Sequence, residues 1–291
     1  MLRPTKGRFG AVALALSLLP GAWADGPYVS DTARVSWEDN VTNASAGNGV
    51  LGAFSFGAGT TLSWLHSGGF STLILSDLSA DFTVCTSYRG LSNIEVGPRL
   101  EVRHKLGLGA FAPSLYAGID GKATGFQDPE QSKIEGAFIF GYSQRLSEAF
   151  QVQLDGRLGS YDAQDIVFTG NYASLAGALN WDLDETWRIR VTGGWRAGDT
   201  VSNYTAVMSP YGWIPIESDA LNLPGAWHYV RTFDAPFVAY RVSARTWSYG
   251  ISVSPAIGRH TSLTLEVKRV ETVGAAPYLD TVVSLSVAHR Y

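Results

Sequence analysis

LDTVVSLSVAHRY, residues 279–291, alternates without a break. Leu279, Thr281, Val283, Leu285, Val287, His289 and Tyr291 fall on one face. Asp280, Val282, Ser284, Ser286, Ala288 and Arg290 fall on the other. Side chains of a strand point alternately to its two sides, so this strand has one greasy and one mainly polar face. It is about twice the length of an ordinary soluble strand and long enough to cross a thin bilayer at a tilt.

The same two-faced pattern recurs upstream. Strand 187–199 sets Trp187, Ile189, Val191, Gly193, Trp195 and Ala197 against Arg188, Arg190, Thr192, Gly194 and Arg196. Strand 150–161 separates Val152, Leu154 and Leu158 from Gln151, Gln153, Asp155 and Arg157. Strand 94–106 separates Ile94, Val96, Leu100, Val102 and Leu106 from Glu95, Arg99, Glu101, Arg103 and Lys105. Period-two alternation and turn residues predict about twelve strands: 29–38, 49–65, 70–88, 94–106, 111–125, 133–146, 150–161, 167–182, 187–199, 237–254, 261–271 and 279–291. In 237–254 the apolar phase passes through Val238, Tyr240 and Val242, then through Ile251 and Val253, which predicts a bulge near Thr246–Gly250.

Connections expected at one end are short: His66–Gly69, Gly107–Ala110, Ser147–Ala149, Leu183–Thr186 and Pro255–His260. At the other end Asp39–Asn48, Phe126–Ser132, Asp162–Ile166 and Thr272–Tyr278 are longer, and Thr200–Pro236 is much longer. A soluble sandwich has short strands whose polar face meets bulk water. Long two-faced strands with one-sided loops instead fit an all-β, closed, antiparallel up-and-down transmembrane barrel, in which every backbone group is paired and no edge is open.

The closing strand resembles that of Gram-negative outer-membrane β-barrels, with Tyr291 where that class more often ends in Phe. The resemblance implies that Tyr291 belongs to the signal read by the barrel assembly machinery. It also implies that the outer wall meets outer-membrane lipid and lipopolysaccharide. A second stretch, Val35-Ser36-Trp37-Glu38-Asp39-Asn40-Val41-Thr42, looks like the opening strand and Asp-Asn turn of many barrels of unassigned function. It is similar also to the barrel part of surface lipoprotein assembly modifiers, but the helical repeat domain of those proteins has no counterpart here.

The amino-terminus agrees. Arg3, Lys6 and Arg8 precede a short apolar run from Phe9 to Pro20, and Ala22-Trp23-Ala24 reads as a cleavage motif before Asp25. Residues 1–24 are expected to be a secretory signal peptide and 25–291 the barrel domain. Cleavage would remove three basic residues and no acidic ones, leaving the mature chain more acidic than its formal net charge of −4. Net acidity without basic clusters argues against nucleic-acid binding. The one cysteine, Cys85, excludes an intramolecular disulfide and is expected on the inner face as a small filler.

The inner face carries the functional expectation. Arg99, Arg103, Arg157, Arg188, Arg190, Arg196, Arg241 and Arg245 are the pore-lining candidates, among acids such as Asp77, Asp81, Glu95, Asp120 and Asp155. Opposed charges would set a field across a lumen, and a guanidinium fork matches a carboxylate. The leading expectation is a passive, porin-like channel for small solutes, anionic ones included. The alternative is a non-conducting structural or binding barrel, plugged by charge pairs and by 200–236. A lipid-modifying hydrolase is the least favoured. Of the five histidines, His66, His260 and His289 are expected towards the short-turn end, His104 faces outward, and only His228 lies on the long-loop side. His228, Glu217 and Asp219 read as ordinary loop residues. No metal or cofactor motif is present, so no catalytic residue, metal or cofactor is assigned.

Overall fold

The computed structural model describes residues 27–45, 49–209, 212–215, 227–230, 232–233 and 236–291, with 212–215 described in backbone only. Residues 1–24, Glu217 and Asp219 lie outside the described residues.

Among the described residues the strands are β1 (Tyr28–Glu38), β2 (Ala53–Ser67), β3 (Thr72–Cys85), β4 (Asn93–Lys105), β5 (Ser114–Phe126), β6 (Lys133–Arg145), β7 (Phe150–Ala163), β8 (Gly170–Asp182), β9 (Trp187–Ser209), β10 (Gly212–Pro215), β11 (Trp227–Val230), β12 (Phe237–Pro255), β13 (Thr261–Gly274) and β14 (Tyr278–Arg290). Consecutive strands pair antiparallel from β1 to β9, then β9 with β12, β12 with β13 and β13 with β14. The pairing of β14 with β1, from Ser30↔Arg290 to Glu38↔Val282, closes the ring. Twelve strands make the wall. β10 and β11 are short additions at the long-loop end.

The wall has no apolar interior in the usual sense. Its large apolar side chains point out: Leu154, Leu158, Val191, Ile251, Leu265 and Val287 are all exposed. Monomeric soluble proteins rarely expose a continuous apolar belt, and lipid is the solvent that suits one. Trp187 and Trp195 stand on the outer face of β9. At about 3.3 Å per residue and a tilt near 40°, their separation spans roughly 20 Å, close to the apolar band of such barrels. Phe150 stacks on Trp181 at 5.7 Å near the short-turn end.

The long-loop end is built differently. β9 and β12 pair continuously from Thr205↔Phe237 down to Trp187↔Pro255, but β8 leaves β9 at Gly198 and β13 leaves β12 at Ala244. Above that tier the two strands leave the wall as a ribbon, and the short strands β10 and β11 pair with the outer edges of β9 and β12. Gly198 and Gly274, the partners of Ala244, have φ of +145° and +143°. A Cβ on Gly198 would lie 2.2 Å from the Asn171 carbonyl oxygen, so glycine is required at this departure point.

The ribbon and the loops around it form a cap. Val167, Phe168, Val230, Phe233, Phe237 and Ala239 make one buried cluster; Val41, Leu51, Tyr88 and Leu91 pack against it. Tyr204, Ala206, Val238, Tyr240, Val242 and Ala276 make a second. These residues correct two expectations. Part of Thr200–Pro236 is strand, and β12 has an unbroken register through Thr246–Gly250, so no bulge lies there. The phase change in the sequence arises because the upper apolar run packs in the cap and the lower one faces lipid. At the other end the connections are short, with 106–113 longer than expected.

Candidate functional site

The alternation of the wall turns polar residues inward, and among the described residues several polar cavities lie along the lumen. At the short-turn end it opens as a vestibule of about 1050 Å³ whose lining includes Arg145, Asp182, Arg188, Arg190, Ser252 and Glu266. Asp182 accepts from Arg188 Nε at 2.6 Å and from Arg145 Nη2 at 3.4 Å.

Above the vestibule lies a charged waist. Glu101 is 1% exposed and lies between Arg99 and Arg103, its neighbours on the same face of β4. Arg103 donates to Glu101 from Nη2 at 2.9 Å and from Nε at 3.2 Å, and also lies 5.0 Å from the Tyr116 ring centroid. Arg157 on β7 pairs with Asp120 on β5, and Lys122 with Glu95 at 3.0 Å. A cavity of about 270 Å³, bordered by Asp77, Ser79, Arg99, Asp120 and Lys122, occupies this level.

A third cavity of about 560 Å³ follows below the cap. The Arg196 guanidinium stacks over Tyr172 at 4.4 Å, and the Tyr172 hydroxyl donates to Glu135. Lys133 lies 5.1 Å from the ring of Tyr161, whose hydroxyl donates to the Asp199 carbonyl at 2.9 Å.

The cap then closes over the mouth from several sides. Thr232 donates to Asp128 Oδ2 at 2.6 Å and accepts from Gln131 Nε2 at 2.6 Å. Phe233 meets Tyr88 edge-on at 5.6 Å and Phe237 at 4.9 Å. Asn203 Nδ2 donates to the Thr42 carbonyl at 2.8 Å. His228 lies with Nε2 2.8 Å from Glu130 and Nδ1 3.1 Å from Asp165. It is therefore a clasp between two loops rather than the ordinary loop residue expected. The carboxylates sit at opposite ring nitrogens and cannot converge on one ion.

The structure places Arg99, Arg103, Arg157, Arg188, Arg190 and Arg196 on the inner face. Arg241 stands at the mouth and donates from Nη1 to the carbonyls of Ile166 and Thr169, both at 3.1 Å. Arg245 points outward. It is paired with Val273, shares the face of Trp247 and Tyr249, and is exposed. Its expected inward direction rested on continuing the cap's phase into the wall. Cys85 is buried on the inner side, and His104 outward with Nδ1 3.0 Å from the Thr72 hydroxyl. Lys122 and Lys133 also line the lumen. Neither was among the pore-lining candidates, although strand parity turns both inward.

No protein-family model and no curated protein matches the sequence. Among solved structures, an outer-membrane channel of Pseudomonas putida F1 aligns with a TM-score of 0.58 at 11% identity, covering 94% of this chain and 100% of that one. The fold is that of an outer-membrane β-barrel. Also similar are the NanC porin, with a TM-score of 0.49, 7% identity and coverage of 90% and 100%, and an active-site mutant of the outer-membrane phospholipase A of Escherichia coli. The last has a TM-score of 0.49 at 10% identity, with 96% of each chain covered. At these identities the likeness concerns the fold.

Proposed function

We propose that the chain is a passive channel in the outer membrane of a Gram-negative bacterium, passing small polar solutes along its lumen. The observation that carries this reading is the succession of three polar cavities from vestibule to cap. Water reaches the charges that line them: the side chains of Arg99, Arg103 and Arg188 keep 37%, 40% and 53% exposure. A barrel filled for stability alone would pack such a space with side chains. The open vestibule faces the periplasm in this reading, and the cap faces outward.

An anionic solute would meet only part of the arginine wall as free charge. Glu101, Asp120 and Asp182 pair with Arg99, Arg103, Arg157 and Arg188. Arg190 and Arg196 have no carboxylate within salt-bridge distance among the described residues, so they are the arginines available to a passing anion. We read the protein as a conduit without a catalytic step. His104 and His289 each contact a threonine hydroxyl, but on the outward face of the wall and not in the lumen, and His228 lies between carboxylates. Tyr291, exposed at the end of β14, is the proposed assembly signal, and the apolar belt the surface for lipid and lipopolysaccharide.

One observation favours the plugged alternative: the cap cores are dry, with Val230, Val238 and Ala239 wholly buried. Single-channel recording of the refolded mature chain separates the two. Steady openings support the channel. Silence from an inserted barrel, persisting after Phe233→Ala and His228→Ala loosen the cap, supports a plugged structural barrel.

A further inference from the structure

Removing the paired charges from the lumen leaves a pattern. On β3, Asp77 and Asp81 have no basic group within salt-bridge distance among the described residues; on β9 the same holds for Arg190 and Arg196 with respect to acids. One carboxylate oxygen of Asp77 is buried without a hydrogen-bond partner. All four side chains have the inward parity of their strands.

The strand order gives this pattern a direction. Counted either way round the closed ring, β3 and β9 are six strands apart, so they are opposite walls. Asp81 and Arg196 share a level, each nine residues above the first residue of its strand, while Asp77, at the waist, stands five above and Arg190, in the vestibule, three above. Arg34 and Lys122 near Asp81, Arg99 opposite Asp77 in the β3–β4 register, and Asp155 near Arg190 soften the contrast without cancelling it. Along the half-wall from β14 through β5 inward acids still outnumber bases, and along the other half bases outnumber acids.

Resting on the channel reading, we propose that the lumen selects small zwitterions: solutes carrying an ammonium and a carboxylate a few bonds apart. Asp77 and Asp81 take the ammonium side, and Arg190 and Arg196 the carboxylate side. A lone anion meets attraction at one wall and repulsion at the other, so a transverse field does little for it. A dipolar solute aligned across the lumen gains at both walls, and low-dielectric walls focus the field. Arginine suits the carboxylate end because its fork binds both oxygens. The cavity at the waist, about 270 Å³, has room for a solute of a few heavy atoms and is bordered by Asp77 and Ser79 together with the bases Arg99, Lys122 and Arg157.

The test is liposome swelling with the full mature chain carrying Phe237→Ala, a buried cap residue that borders none of the three lumen cavities. Three solutes of similar size are compared: erythritol (neutral), 4-aminobutanoate (zwitterion) and tartrate (anion). The expected result is entry of the zwitterion about threefold or more faster than erythritol, with tartrate not favoured. Asp77→Asn with Asp81→Asn should bring the ratio to about one, as should Arg190→Gln with Arg196→Gln; each set checks the other should one fail to fold, and erythritol entry reports folding. Equal entry of zwitterion and erythritol, or a ratio that neither set changes, overturns the inference and leaves the channel standing. Tartrate entering fastest returns the lumen to an anion filter. No entry of erythritol overturns the channel and the inference together.

Discussion

Between Trp247 and Ser252, β12 alternates an exposed apolar residue with a small, less exposed one. Between Phe237 and Val242 nearly every residue on both faces is buried. The lower segment has lipid on one side and a watery lumen on the other, so its stability comes from ladder hydrogen bonds and a favourable solvent for each face. The upper segment has left the wall, and its ribbon is sandwiched between two apolar clusters. One strand thus serves a membrane barrel and a small soluble-type core, and the change occurs at the Gly198–Ala244–Gly274 tier.

The sharpest way to break this comparison is to empty the cap core. Phe237 is 1% exposed and packs against Phe233. Phe237→Ala should cost the cap about 3–5 kcal/mol while the wall below keeps its ladder. The expected outcome is a barrel with unchanged heat-modifiable gel mobility and a large rise in open-channel time in planar bilayers. Loss of the folded band would mean that cap and wall are one cooperative unit.

The wall makes the opposite prediction. Val191 and Thr192 are neighbours near the middle of the belt, one outward and one inward. Val191→Arg should destabilise the barrel by about 2–4 kcal/mol in urea unfolding from vesicles, whereas Thr192→Arg should cost far less. Equal costs would remove the assignment of faces on β9.

The same contrast explains what was legible in the sequence. Lipid outside and water inside impose a strict period of two, so the twelve wall strands, the inward direction of Arg99, Arg157 and Arg188, and the outward His104 could be read from alternation. The cap imposes no such period. Phe237, Val238, Ala239 and Tyr240 all find apolar partners, so parity has no meaning there, and extending it downward misdirected Arg245. The pairing partners in the lumen were hidden for another reason. Arg157 reaches Asp120 across β6, a contact fixed by register and curvature rather than by residue type.

A smaller effect is expected at the waist. Glu101→Gln would leave Arg99 and Arg103 without their shared carboxylate. Breaking a buried pair costs about 3–5 kcal/mol, but both guanidiniums are over one-third exposed, so about 1–2 kcal/mol is the expected loss. The reversal potential under a salt gradient should move towards anions, because two positive charges are uncovered at the waist. An unchanged potential would place the current path away from Glu101.

The smallest effect lies at the end opposite the cap, in the turn between β8 and β9. Asp184 accepts from the Thr186 hydroxyl and amide, each at 2.7 Å, and from the Trp187 amide at 2.8 Å. These bonds, the Thr186 hydroxyl first, hold its carboxyl below the ordinary value of 3.8. A carboxylate whose pKa falls on folding stabilises the fold above its unfolded pKa, and that contribution is lost as the pH falls through the folded value. The refolded barrel should therefore lose a small increment of stability only below the usual carboxylate range, seen as a shift in urea midpoint. Asp184→Asn should abolish the pH dependence of that increment, since an amide oxygen accepts the same bonds at every pH. Asp184→Ala should lower the midpoint at neutral pH as well. The cap, held by apolar packing between Phe233, Phe237 and their neighbours, should not respond to Asp184 at all, and channel open time in Asp184→Ala measures whether the two ends are energetically separate.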